Sequence, residues 1–320
     1  MKKKKVVVIG GGSGTPATIR ALKTNINEYD LSAIISVADS GSANGRLRKQ
    51  FGIIPPSDVM RNILAMSSFD YVMLKKIFYN NRYQCLGKYA GHYLGNLFLA
   101  LSNKYTGKFI PGLKALEQSL EVVGQVFPVT LDQLHLCVEL TNGQVVKTEG
   151  IIDRPDYDRS LIIKRAWLEP KGKIYSEARQ ALLKADYIII GPGSMYTSLV
   201  STILVDGVKQ AIDKSKAKLI FVCSTYLSAI GETGPSSLSG LVGVLEKYLP
   251  RPIDYIIYNN KPADREVRKL FLRTQTCAIT NDLENLVGRT LIGKDFKDTG
   301  NYHSPEILGK VLHKIIYDAR

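Results

Sequence analysis

The chain has 320 residues, 45% hydrophobic and 22% charged, proportions that exclude a disordered or membrane class and suffice for one large α/β unit with a substantial core. Its 43 Lys and Arg against 29 Asp and Glu give a formal charge of +14, which draws nucleic acid, anionic lipid and phosphorylated small molecules alike. Only Lys2 to Lys5 form a basic block, so nucleic acid is not the expected partner, and no apolar run approaches a membrane span.

Taken in order, the basic block leads into a four-residue apolar run at 6–9, too short for a signal peptide and read as the first strand. It runs into Gly10, Gly11, Gly12, Ser13 and Gly14, and glycines after a strand bring backbone N–H groups up to a phosphate because no Cβ holds the ligand away. The dinucleotide fingerprint is met only as Gly12-x-Gly14-x-x-Ala17, late after the strand, and no Gly-Lys-Ser/Thr follows. The loop therefore reads as a generic anion site with Ser13 and Thr15 as hydroxyl donors. A second strand at 31–37 precedes Asp39, placed to hydrogen-bond a ribose hydroxyl, to hold Mg²⁺, or to cap a turn. Arg46 and Arg48 can close over a phosphate or remain on a solvated face. Pro55 and Pro56 precede a helix start at Ser57 or Asp58, and Asp58, Arg61 and Asn62 can line the same cleft.

Residues 70–119 carry Tyr, Leu and Lys at helical spacing and form a helical segment within a single domain spanning 1–320. Inside it Gly91 and Gly95 bracket His92, ahead of Asn96, implying close backbone approach with no residue order that specifies a hydrolytic mechanism. Residues 133–168 read as an antiparallel β insertion, with strands at 134–140 and 145–151 about the hairpin pair Asn142-Gly143. Strands at 187–190, 218–223 and 255–258 then alternate with amphipathic stretches at 176–184, 205–214 and 238–249, which predicts a Rossmann-like, doubly wound, mostly parallel sheet. The strand at 187–190 runs into a second glycine loop, Gly191-Pro192-Gly193-Ser194, followed by Tyr196 and Thr197. Helix capping accounts for Ser194 or Thr197 but not for the glycines. Gly231, Glu232 and Thr233 fall on the same carboxyl edge, and a closing helix starts at Ser304 with Glu306 in its first turn. Cys85, Cys137, Cys223 and Cys277 lie apart with no C-x-x-C spacing, so neither zinc nor a redox pair is signalled and a reduced, cytoplasmic setting is expected.

Six of these segments stand in one order: I-G-G-G-S-G at 9–14, V-A-D-S-G-S-A-N-G-R-L-R at 37–48, I-P-P-S-D at 54–58, G-H-Y-L-G-N-L at 91–97, G-P-G-S-M-Y-T-S at 191–198 and I-G-E-T at 230–233. Together they resemble the signature blocks of the 2-phospho-L-lactate transferase-like (CofD-like) superfamily, and are most similar to its bacterial gluconeogenesis-factor branch. The resemblance covers nearly the whole chain and implies a cytoplasmic protein whose cleft holds a nucleotide-linked ligand. The transferase branch implies Mg²⁺-dependent transfer of a phospholactyl-type group from a nucleoside diphosphate to a deazaflavin alcohol. The other branch implies a UDP-sugar binder, notably of UDP-N-acetylglucosamine, that affects cell-wall synthesis, cell shape and growth on gluconeogenic carbon. Gly45-Arg46-Leu47-Arg48 and the block from Gly91 to Asn96 follow the second branch, while Ser40 stands where it has Asp or Asn, and Ser224 or Thr225 where it has Asn.

On this resemblance Gly10 to Gly14 and Gly191 to Ser194 hold a diphosphate, and Asp39 holds ribose or Mg²⁺. Arg46, Asp58, Asn62, His92, Asn96, Tyr196, Thr197, Gly231, Glu232 and Thr233 complete the cleft. No positioned acid, base or metal set stands out, so a regulatory binder that requires no cofactor is favoured over an enzyme. The alternative is the Mg²⁺-dependent transferase, with Asp39, joined by Asp58, as metal ligands. A third reading is an adaptor that binds a protein or RNA through its basic face. The partners expected are a nucleotide-sugar and further copies of the chain in a homo-oligomer.

Overall fold

A computed structural model describes residues 2–84, 87–261, 269, 272–296 and 303–318, which leaves Cys85 outside the described residues. The first half runs β1 (Lys4–Gly10), α1 (Thr15–Lys23), β2 (Tyr29–Ile35), α2 (Ser42–Phe51), α3 (Ser57–Met66), α4 (Tyr71–Lys75) continuing as a wide turn to Asn80, α5 (Leu94–Thr106), α6 (Phe109–Ser119) and β3 (Gln125–Pro128). An insertion follows, with β4 (His135–Leu140), β5 (Val145–Lys147), α7 (Glu149–Asp153) and β6 (Ile163–Glu169). The second half has α8 (Ser176–Lys184), β7 (Tyr187–Ile190), a wide helical turn Met195–Val200 running into α9 (Ser201–Ile203), α10 (Val208–Ser215), β8 (Lys218–Val222) and β9 (Tyr226–Ser228). It ends with α11 (Leu238–Tyr248), β10 (Tyr255–Asn259), β11 (Thr276–Ala278), β12 (Thr290–Lys294) and α12 (Pro305–Asp318).

Seven strands form one parallel sheet in the order β12-β10-β8-β7-β1-β2-β3. The central strands are buried throughout Val6 to Ile9, Ile188 to Ile190 and Leu219 to Val222, so both faces are covered and the residues read as continuous apolar runs. Helix α1 packs against both α3 and α12, and α8 packs against α10. The order makes β1 and β7 neighbours although their sequences lie far apart, with β2 and β3 added on one side and β8, β10 and β12 on the other. The reversal between β1 and β7 is the switch point at which open α/β sheets form a ligand crevice beyond their carboxyl ends. This is the expected Rossmann-like α/β fold.

Three local expectations change. The strand foreseen at 31–37 begins at Tyr29, paired with Lys4, and ends at Ile35. The helix foreseen at 205–214 starts only at Val208, because Gly207 turns the chain at φ +95°. The strand foreseen at 145–151 stops at Lys147. Thr148 takes φ +82° and its N–H goes to Leu136 O, and the chain turns into α7 because Ser40 captures it: Ser40 N donates to Glu149 Oε2 at 3.0 Å and Gly150 N to Ser40 Oγ at 2.9 Å. Among the described residues no helix is long and apolar enough to cross a membrane, and Cys137, Cys223 and Cys277 are unbridged.

Candidate ligand-binding cleft

The two glycine loops meet above the β1–β7 pair. Gly191 N donates to Ile9 O at 3.0 Å, and Thr18 of α1 donates to Gly191 O at 2.9 Å. Gly191 turns the chain at φ +88°, a conformation that favours glycine. A Cβ on Gly14 would stand 2.4 Å from Pro192 O, so that glycine is what lets the loops touch. Beside them lies a cleft of about 1010 Å³, lined by both loops, by the end of β2 and by the chain after β8.

One amide of the first loop and two just beyond the second are engaged by carboxylates. Asp58, from the first turn of α3, accepts from Gly12 N at 2.7 Å and pairs with Arg61 at 3.1 Å. Glu232 accepts from Tyr196 N at 3.0 Å and Thr197 N at 2.9 Å, where the helical turn begins after the second loop. Burial pushes the Glu232 carboxyl up to about 7 despite these donors.

At the β2 end the cleft is acidic. Asp39 Oδ1 accepts from Gly41 N at 2.8 Å and Oδ2 from Asn44, so this residue is at once a turn cap and part of the cleft wall. Desolvation and the neighbouring Asp58 raise its pKa, and burial with the charge of Asp39 raises that of Glu149. Asp153 is raised mainly by burial. Opposing this charge, Arg61 lies 4.6 Å over the Tyr79 ring and Arg82 4.1 Å over that of Tyr93, and Arg154 and Arg159 enter from the insertion. Among the described residues no three carboxylate, His or Cys side chains gather as a metal centre. Two hard carboxylates, Asp39 and Asp58, do suit a Mg²⁺ ion completed by phosphate oxygens and water, so the fit holds only together with a diphosphate ligand.

The remaining residues sort cleanly. Gly12, Ser13, Gly14, Asp39, Asp58, Gly193, Ser194, Tyr196, Thr197, Gly231, Glu232 and Thr233 line the cleft. Gly10, Gly11 and Gly191 lie behind it. Arg46 is exposed away from the lining, with a long 3.5 Å contact to Ala90 O, and Arg48 is buried, donating to Leu134 O at 2.7 Å rather than closing over a ligand. Asn62 is buried and donates to Asp58 O at 2.7 Å. Asn96 is also buried and supports Asp39 from below, through Asn96 to Ser57 at 2.7 Å, Ser57 to Asn44 at 2.7 Å, and Asn44 to Asp39. His92 is fully buried with neither ring nitrogen hydrogen-bonded, and its pKa is lowered by burial and by Arg46 and Arg82. Sequence reasoning missed Glu149, Asp153, Arg154, Tyr79, Arg82 and His303. Only the tyrosine-rich helical segment noted at 70–119 pointed toward one of them, Tyr79.

Fold and cleft define an α/β protein with a Rossmann-like sheet and a polar crevice at its switch point. The chain belongs to the family described as 2-phospho-L-lactate transferase CofD, whose model matches residues 6–296. It is 35% identical over 288 residues to the gluconeogenesis factor of Halalkalibacterium halodurans, covering 89% of this chain and 87% of that protein. To the gluconeogenesis factor of Listeria innocua it is 32% identical over 301 residues, covering 93% and 90%. The crystal structure of a UPF0052 family member from Bacillus halodurans superposes with a TM-score of 0.88 at 31% identity, covering 98% of this chain and 99% of that one.

Proposed function

We propose that the protein is a regulatory binder of a nucleoside-diphosphate sugar, with a UDP-sugar such as UDP-N-acetylglucosamine as the leading candidate. The observation that carries the reading is the contact of the two glycine loops at the β1–β7 switch point inside one cleft, an arrangement suited to gripping a diphosphate between two ring systems. The name of the relatives, gluconeogenesis factor, supports a role in carbon metabolism. Calorimetric titration with UDP-N-acetylglucosamine, UDP-glucose, GDP and NAD, with and without Mg²⁺, tests it on the wild type and on Asp39→Ala. Micromolar binding of a UDP-sugar that is left intact overnight and weakens in the variant supports the reading; no binding of any of the four sinks it. The acidic end of the cleft favours one second reading, a Mg²⁺-dependent transferase in which Asp39 and Asp58 hold the ion with the ligand's phosphates. Turnover of the nucleotide would select it.

A further inference from the structure

Beyond the described candidates, the cleft carries one buried acceptor with nothing to accept. His303 is 2% exposed, lines the cleft, and has no partner for Nε2. Its ring packs edge-on to Phe296 at 4.4 Å, and its other nitrogen donates to the Cys223 backbone carbonyl at the end of β8. That donation fixes the tautomer and leaves Nε2 with a bare lone pair. Burial lowers the ring's pKa to about 4, so it stays an acceptor at neutral pH.

The place of this acceptor along the cleft is set by the strand order. Asp39 follows β2 and His303 sits at β8, three strand spacings away, about 14 Å. The glycine loops follow β1 and β7, between them. The two ends differ in chemistry: the β2 end gathers the four carboxyl groups of Asp39, Asp58, Glu149 and Asp153, whereas the chain leaving β8 contributes a mixture of hydroxyl and apolar side chains, Ser224, Leu227, Ser228, Ala229 and, across the β9–β11 ribbon, Cys277, with Glu232 as its one carboxyl. Carboxyl groups, which accept hydrogen bonds and, when protonated, also donate them, suit the hydroxyls of a sugar. A flat, uncharged base gives up its hydration at less cost than a charged group would, and finds apolar contact at Leu227 and Ala229.

We propose that His303 reads the nucleobase, its Nε2 accepting the ring N–H of a uracil or guanine seated at the β8 end of the cleft. The inference rests on the nucleotide-binding reading and sets the ligand's direction, with base toward β8 and sugar toward Asp39. Uracil N3 and guanine N1 carry a hydrogen, whereas cytosine N3 and adenine N1 present lone pairs that oppose the one on the histidine. A donor satisfies the orphaned acceptor; a second acceptor leaves two buried groups unpaired.

The test is calorimetric binding of UDP, N3-methyl-UDP, GDP, CDP and ADP to the full chain, wild type and His303→Phe, with folding checked by thermal circular dichroism. Tenfold or greater weakening on N3-methylation, with CDP and ADP weaker than UDP or GDP, and loss of these differences in His303→Phe, is expected. Equal binding of UDP and its N3-methyl form, or CDP as tight as UDP, overturns the inference while leaving the nucleotide reading intact. Binding of none of the five defeats that reading itself and the inference with it. Should His303→Phe not fold, the methyl comparison on the wild type decides.

Discussion

Replacing Glu232 with Gln isolates the electrostatic strain of the second loop. Burial raises the carboxyl from 4.5 to about 7, so the folded chain holds a proton that the unfolded chain has released. Where the native state binds the extra proton, stability falls as pH rises, here through the window from about 4.5 to 7. A rise of that size corresponds to about 3 kcal/mol, fully expressed above pH 7 and absent below the unfolded value. Gln cannot ionise, yet its amide oxygen still accepts from the Tyr196 or Thr197 N–H. The stability of Glu232→Gln relative to the wild type should therefore climb by up to about 3 kcal/mol between pH 4.5 and 8, with other titrating groups cancelling in the difference. Urea denaturation followed by circular dichroism across that range measures it. A flat difference, or a wild type that gains on the variant as pH rises, would refute the reasoning. It would mean that the backbone donors at 196 and 197 outweigh burial and hold the carboxylate ionised.

Four further outcomes are expected. Asp58→Ala leaves Gly12 N and Arg61 without their acceptor and should cost about 2–4 kcal/mol in a denaturant titration. Gly14→Ala drives a Cβ into the Pro192 carbonyl, separating the loops at a cost of about 1–3 kcal/mol and weakening any diphosphate ligand, which calorimetry on the folded fraction reads. Arg46→Ala, outside the lining, should leave ligand affinity within about twofold, whereas Arg48→Met should lower the melting temperature by several degrees because Leu134 O and Asp39 O lose their donor.

The sheet was readable because its central strands are buried on both faces and spell unbroken apolar runs such as Ile188 to Ile190. Edge strands were not: β12, Thr-Leu-Ile-Gly-Lys, has mixed exposure and no distinctive pattern, and β3 is four residues long. The glycine loops and Asp39 stood out because backbone approach and strand ends have local signatures. Glu149 did not, since its arrival in the cleft depends on Ser40, 110 residues from Gly150 in sequence, bending the chain at Thr148. Likewise Asp58 and Glu232 looked like ligand contacts, but nothing local reveals that Asp58 takes the Gly12 amide and Glu232 the amides of Tyr196 and Thr197. Arg48 and Asn96 carried the right chemistry for a ligand and were drawn inward to support the wall, a choice made by packing and invisible to motif order.

The pairing of β1 with β7 also governs how the molecule is made. Val6 finds Tyr187 as its partner, so the inner edge of β1 stays open until more than half of the chain has left the ribosome. Until then β1, β2 and β3 present an apolar, unpaired strand edge to the cell, which is a template for association with other nascent chains. The event that covers it also brings the second loop to the first. Covering of that edge and the meeting of the two loops thus come in one step, after more than half of the chain is made, and slow pairing of such distant segments makes the interval before it a vulnerable period in the protein's life.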